Sequence, residues 1–401
     1  MSHKPLSGIL VIDLTRVLAG PFCTMVLKNL GAEIIKVEAP KTGDDSRQFG
    51  PFINSDPEKS AYFTSVNCGK KSISIDLKKE KGKVILADLI KKADVLIENF
   101  RPGTLERLGF DDQTISNLNP TIIHTTATGF GYSGPESKKA AYDSIIQGLS
   151  GLMSITGTEK RETVRVGSSI SDILTGMYAA IGIVSALFRR DKTGHAARID
   201  VAMLDSTVSV LENAIARYQI SQEIPGPLGS RHPSITPFES FTTMDANIII
   251  AAGNDKLFAS VCDVIGKPEL ASDRRFKNNA HRTENYQALR QEIESVLVDQ
   301  TASHWLSALN EKKVPCAKIN TMKDLFEYEQ LTARNMLVPV DGEDGFQIAG
   351  NPIKFMGEED DLSAGTPPKL GEHTESVLRD VLNYPDEDIV TLIKNGRKSP
   401  F

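Results

Sequence analysis

Short runs of β-branched residues alternate with helical stretches through the first 130 residues, and that alternation restricts the fold more than any other feature. Residues 8–14 (GILVIDL) are apolar enough for a strand buried on both faces. Residues 21–30 follow as a helix, with Pro21 suited to its first turn and Gly31 to its stop. Residues 33–38 (EIIKVE) form the next strand. A strand, helix and strand at this spacing make a βαβ unit, whose crossover requires parallel strands. Further strands are expected at 72–77, 94–98 and 121–127, and a helix at 82–93. The first half therefore reads as an α/β domain on an open parallel, Rossmann-like sheet.

Residues 173–188 (ILTGMYAAIGIVSALF) are apolar on nearly every face, which predicts a deeply buried helix, and 198–201 return as a strand. After a stretch bearing Pro and Gly, residues 238–243 and 248–252 read as a hairpin, followed by helices at 256–265, 284–299 and 302–311. The division expected is a large α/β domain over 1–224, a small α+β domain over 225–332, and a C-terminal segment, 333–401, returning to the large domain. That segment carries helical stretches at 375–382 and 386–395.

Several functions are excluded early. Lys plus Arg number 46 against 52 Asp plus Glu, a net charge of -6, which argues against a nucleic-acid partner. Cys23, Cys68, Cys262 and Cys316 are far apart and form no CxxC pair, as expected of reduced thiols in the cytoplasm. The start, MSHKPLSG, lacks the pattern of a secretory leader, and no run approaches the roughly 18 apolar residues of a membrane span. The seven histidines contain no i, i+4 ligand pair, so no metal is expected. GxSxG, HExxH and P-loop motifs are absent.

A first βαβ unit closed by Glu38 invites a dinucleotide reading, but the turn Thr15-Arg16-Val17-Leu18-Ala19-Gly20-Pro21 has one glycine where GxGxxG needs three. Val17 and Leu18 would crowd a pyrophosphate. A crevice beyond the strand ends still implies a small-molecule site. The segment 167–177 (GSSISDILTGM) places a carboxylate, Asp172, where a small-residue loop enters the most apolar helix. Asp172 could cap that helix, act as a general base, or act as a nucleophile that becomes acylated. The residue pattern leaves all three open. Gly129, Gly131 and Gly134 make a loop whose N–H groups could approach an extended ligand, and Tyr142-Asp143 opens another helical stretch.

With these residues in order, the sequence resembles the class III CoA-transferases, the formyl-CoA and carnitine CoA-transferase family, over essentially the whole chain. The motifs are 14–21 (LTRVLAGP), 31–38 (GAEIIKVE), 98–103 (ENFRPG), 129–135 (GFGYSGP), 142–151 (YDSIIQGLSG), 172–176 (DILTG), 193–194 with 198–203 (RIDVAM), and 371–374 (GEHT). The resemblance implies that Asp172 is the nucleophile, passing through a mixed anhydride and an aspartyl-CoA thioester. It implies coenzyme A contacts at Leu18, Ala19, Ile75, Lys78, Asn99, Phe100, Arg101, Arg107, Lys139 and Tyr142. A CoA thioester is then a substrate, with no permanently bound cofactor. The partners implied are acyl-CoA (acetyl-, succinyl- or formyl-CoA), a small carboxylate, and a second copy of the chain in an interlocked homodimer whose small domains complete each site.

Two departures stand out. Ala39 replaces a phosphate-binding Arg of the formyl-CoA enzymes, and residues 228–233 (LGSRHP) with 252–256 (AGNDK) stand where those enzymes carry a tetraglycine lid. Both look like the branch that includes acetyl-CoA:oxalate and succinyl-CoA:dicarboxylate CoA-transferases. In that branch Arg47, Arg231 and His232 are candidates to hold an acceptor's second carboxylate. The alternative is an α-methylacyl-CoA racemase on the same fold, which needs a His before the Asp where this chain has Tyr142-Asp143. A non-catalytic CoA-binding protein is a third reading.

Overall fold

The structure, a computed structural model, describes residues 4–160, 162–390 and 392. The described chain forms two compact units. The first contains residues up to 152, 165–221 and those from 329 onward; the second contains 153–164 and 222–328. The small unit thus starts and ends slightly earlier than the 225–332 expected, and it takes in a short excursion from the large one. In that excursion Gly157 bridges Thr163, and Gly157 O accepts the Gly229 N–H at 3.1 Å. No local pattern announces such a pairing across 72 residues.

The first unit holds a six-stranded sheet in the order β3-β2-β1-β4-β5-β6, every pair parallel. The strands are β1 (Leu10–Asp13), β2 (Glu33–Glu38), β3 (Lys71–Ser74), β4 (Val95–Glu98), β5 (Ile123–Thr128) and β6 (Ala197–Ala202). All six fall within or beside the apolar runs read from sequence. Neighbouring side chains of β1 enter opposite cores because a strand alternates its faces. Ile12 joins Ile35, Leu96 and the helix α2 (Glu80–Lys92), whereas Val11 joins Ile34, Ile97 and the helix α1 (Ala19–Asn29). Burial on both sides explains the unbroken apolar runs. Each fully buried Ile or Leu contributes about 1.5–3 kcal/mol.

The strand order reverses between β1 and β4, where a crevice opens beyond the carboxyl ends. Two further helices approach it: α3 (Asp143–Leu149) and α4 (Ile170–Thr193). The latter ends at Gly194, whose left-handed φ of 71° suits glycine. It crosses α1 backbone to backbone at Gly176, where an added Cβ would lie 2.6 Å from Ala19 O.

α4 corrects two expectations. Met177, Ile181, Val184 and Phe188 form an exposed stripe, Ile181 at 59% and Phe188 at 64%, so the helix is buried along one face only. By length and composition it is also apolar enough to cross a bilayer, because Gly, Ala and Ser between its large residues do not lower hydropathy much. Its other face packs into the core through Ala179, Ile183 and Leu187.

The second unit carries the expected hairpin, β7 (Phe238–Thr242) and β8 (Asn247–Ala251), to which β9 (Cys316–Lys318) adds antiparallel. Helices α5 (Asp255–Val264), α6 (Tyr286–Leu297) and α7 (Ala302–Glu311) close a separate core around Phe241, Phe258, Leu289 and Trp305. The three-residue β9 is too short for a sequence signal.

In the C-terminal segment, His373 N–H donates to Ser72 O at 2.9 Å and Gly371 N–H to Ser72 Oγ at 2.9 Å, covering the edge strand β3. The stretch expected as a helix over 375–382 is one α-turn (Thr374–Ser376) followed by a π-turn (Val377–Val381). Of the helix expected at 386–395, residues 386–390 and 392 are described and are helical; the others lie outside the described residues.

Candidate active site

The loops after β1, β4 and β5 and the start of α4 converge on a cavity of about 180 Å³. Leu18, Ala19, Asn99, Phe100, Arg101, Lys139, Tyr142 and Asp172, distant in sequence, all line it. A neighbouring cavity of about 340 Å³ is lined by Ile75, Lys78 and Ala39, and the two cavities share Arg16, Asp45 and Phe100. An extended ligand spanning both would pass this shared point. Arg107 lines neither cavity; it donates to Thr104 Oγ1 at 2.9 Å, on an exposed turn whose Thr104 and Leu108 line the second.

Asp172 sits in the first turn of α4 but does not cap it. The N-cap, Ser169, makes no side-chain cap either. The Ser171 N–H is taken by Asp143 Oδ1 at 3.0 Å, so a carboxylate from another helix does the capping. Asp143 is buried, and its Oδ2 accepts Gln147 Nε2 at 2.8 Å while Gln147 Oε1 accepts the Val166 N–H at 2.8 Å. This chain fixes the lead into α4. The Asp172 carboxylate itself has no hydrogen-bond partner among the described residues, and burial, then the charge of Asp143, raises its pKa to about 7. That removes the capping reading and leaves a poised base or nucleophile.

A carboxyl group serves as base or nucleophile only when ionised, so an activity that uses Asp172 should rise with pH along a limb centred near 7. Asp143→Asn removes the neighbouring negative charge while keeping an oxygen for Ser171 N–H. The limb should then move to lower pH, read from a pH–rate profile; an unmoved limb would separate Asp143 from the titration.

Tyr62 is a neighbour the sequence reading missed. Burial and then the charges of Asp172, Asp44 and Asp143 push its phenol up to about 12, and Phe49 packs edge-on to its ring at 5.6 Å. No motif marks it. Asn99 lines the cavity, but its carboxamide is engaged with backbone: Oδ1 accepts the Arg16 N–H at 3.0 Å and Nδ2 donates to Arg16 O at 2.8 Å. Tyr142 is 76% exposed, a residue of the cavity mouth rather than its floor. Lys139 pairs with Glu136.

The expectation that Arg47 meets an acceptor carboxylate is not met. Its guanidinium grips buried Glu38 through two bonds of 2.7 and 2.8 Å, donates to Pro368 O at 3.0 Å and lies 3.7 Å over the Phe63 ring. Arg47 lines neither cavity. Arg231 and His232 fold with the second unit, Arg231 4.0 Å over the Tyr286 ring and His232 stacked on Phe238 at 5.4 Å. Among the described residues no histidine lines either cavity, so the paired His and Asp of a racemase are not assembled there by these residues.

A family model described as CoA-transferase family III matches residues 6–374. The chain is 41% identical over 377 residues to an acetyl-CoA:oxalate CoA-transferase of Acetobacter aceti, covering 94% of this chain and 95% of that protein. It is 38% identical over 402 residues to a succinyl-CoA:glutarate CoA-transferase of Homo sapiens, covering 98% and 90%. Its fold superposes on a CAIB/BAIF family protein from Brucella suis with a TM-score of 0.85 and 38% identity, over 95% of this chain and 100% of that one. With a carboxylate free of partners in a crevice at the strand-order reversal, and with these matches end to end, the chain belongs to CoA-transferase family III.

Proposed function

We propose that the protein moves coenzyme A from an acyl-CoA to a small dicarboxylate, with Asp172 carrying the coenzyme A between them. The observation that carries this reading is the unpartnered, half-buried Asp172 carboxylate in a cavity that shares Arg16, Asp45 and Phe100 with a second one. Relatives named for oxalate, glutarate and mesaconate support a dicarboxylate acceptor.

In this reading ionised Asp172 attacks the thioester carbonyl, forming a mixed anhydride and expelling CoA thiolate. The thiolate attacks the aspartyl carbonyl, releasing the first acid and leaving an aspartyl-CoA thioester. The acceptor carboxylate attacks that thioester in turn, and the thiolate then takes the new acyl group, regenerating Asp172. Every intermediate remains an activated acyl group, so little free energy is lost provided water is kept out. Burial raises the carboxyl pKa and strips solvent from the nucleophile. The nucleotide end of the thioester fits the cavity of Ile75 and Lys78, near exposed Arg107, and the pantetheine arm fits the run from Phe100 to Leu18 and Ala19. Arg101 and Lys139 are cations available to its phosphates. With Arg47 committed to Glu38, Arg231 and His232 remain for the acceptor's second carboxylate.

The assembly in this reading is the interlocked homodimer. The exposed stripe on α4 supports it, since large apolar faces are costly to leave in water. Light scattering should give a native mass of twice 43.8 kDa; a monomer mass would remove the dimer. A reducing compartment such as the cytoplasm agrees with four free thiols.

The functional test is acyl exchange. The protein is incubated with acetyl-CoA or succinyl-CoA and a panel including oxalate, glutarate and mesaconate, and new acyl-CoA is sought by mass. Hydroxylamine should trap an aspartyl hydroxamate at Asp172. Scrambling of α-protons without a new thioester would favour the racemase alternative instead. Failure with every acid, while acyl-CoA still binds, would overturn the proposal.

A further inference from the structure

Three of the five residues between β1 and the start of α1, Thr15 to Val17, are held in an unusual way. From the Thr15 N–H to the Val17 N–H, each successive backbone polar group meets a side chain. Asp13 Oδ1 accepts the Thr15 N–H at 2.8 Å, and Lys36 Nζ donates to Thr15 O at 2.7 Å. Asn99 holds both the N–H and the C=O of Arg16, and Asp44 Oδ1 accepts the Val17 N–H at 3.0 Å. Val17 has φ of 68°, a left-handed conformation that a β-branched residue strongly disfavours. Such a conformation persists only where its surroundings over-determine it.

Lys36 and Asp44 are themselves an ion pair, 2.8 Å apart, with side chains 0% and 1% exposed. One partner grips the carbonyl before Arg16 and the other grips the amide after it. A buried pair is a poor device for stability, since well-packed apolar residues of similar size often serve as well. Its geometry gives it another use. Leu18 and Ala19, next along the chain, line the Asp172 cavity, and Ala19 O lies against Gly176, one turn beyond Asp172 on α4. A shift in the loop is therefore passed to the first turn of α1 and on to the helix that carries the carboxylate.

We propose that Lys36 and Asp44 are positioning residues: their buried ion pair holds Val17 in its left-handed conformation and thereby sets the wall of the Asp172 cavity. Its effect on catalysis rests on the CoA-transferase reading; the clamp itself does not. Burial favours the neutral carboxyl of Asp44, but Lys36 and the backbone N–H donors outweigh it and hold the pKa near 2, so the pair stays charged at working pH.

The test uses full-length Asp44→Asn, with Lys36→Met/Asp44→Asn as the charge-balanced second variant should the first fold poorly. Hydrogen exchange should show at least tenfold faster exchange of the amides at 15–18, with β1, β2 and β4 still protected. In acyl exchange, kcat should fall at least tenfold while the KM for acyl-CoA changes less than threefold. Adding Val17→Gly to Asp44→Asn should recover most of the lost kcat, because glycine adopts the left-handed φ without the clamp. Unchanged protection at 15–18 overturns the proposal. So does lost protection with kcat intact, or a Val17→Gly background that recovers nothing. Should wild type exchange no acyl groups, the functional reading fails separately, and the amide protection still decides the clamp.

Discussion

Asp172→Asn should lower acyl exchange by at least about three orders of magnitude, the scale seen when a covalent nucleophile is lost, and should also make the protein more stable. An amide cannot form the anhydride. The gain in stability follows from the raised pKa. The folded carboxyl titrates near 7, whereas in the unfolded chain it titrates near the ordinary value of 3.8. Between those values the folded state binds more protons, so stability falls as pH rises through the window, and the full penalty is present above it. After discounting for the carboxylate's partial exposure, that penalty is on the order of 2 kcal/mol. Calorimetry at pH 8 should show the asparagine variant melting a few degrees above wild type, with the gap closing toward pH 4. A variant that melts lower at both pH values and keeps its turnover would sink the assignment. Residues that serve reaction at the expense of stability are expected where a charge is held without a partner.

The second large effect is on stability alone. Arg47→Met should lower the melting temperature by roughly 10 °C, since it strands buried Glu38, and breaking such a pair costs about 3–5 kcal/mol. Burial alone would raise the Glu38 carboxyl, but the hydrogen bonds and charge of Arg47, then Lys36 and Ser72, hold it below the usual range. A depressed folded pKa contributes stability above the unfolded value and loses it as pH falls through the folded one. The loss in Arg47→Met should therefore be largest at neutral pH and shrink on acidification. Pairing it with Glu38→Gln should recover much of the stability. If Arg47 instead held a substrate carboxylate, the variant would melt normally and raise the KM for the acid, and thermal melts beside acceptor titrations separate the two.

Both predictions depend on contacts that no local pattern announces. Arg47 and Glu38 are nine residues apart, and a cation after a strand could as well face a ligand as a neighbouring carboxylate. The choice is made by Ser72 and Pro368, which complete the setting from distant parts of the chain. Likewise Asp172 at a helix start has the sequence of a cap. Asp143, from another helix, took the Ser171 N–H and left Asp172 free. Tyr62 sits on a short helix with no motif, and only the fold brings it near enough to feel the charge of Asp172.

The sequence by itself determined the layers. Runs such as VID in β1 and EIIKV in β2 must be buried on both faces, and buried strands joined by helices must be parallel, whatever the rest of the chain does. It also determined which residues could gather at the strand ends, since Leu18, Asn99, Phe100 and Asp172 all follow a strand or open a helix. Tertiary structure decided what those residues are free to do. A hydrogen bond or ion pair spends a donor or charge on one partner, and which partner is nearest depends on contacts hundreds of residues apart. Periodicity registers burial, which is local; it carries no record of who pairs with whom.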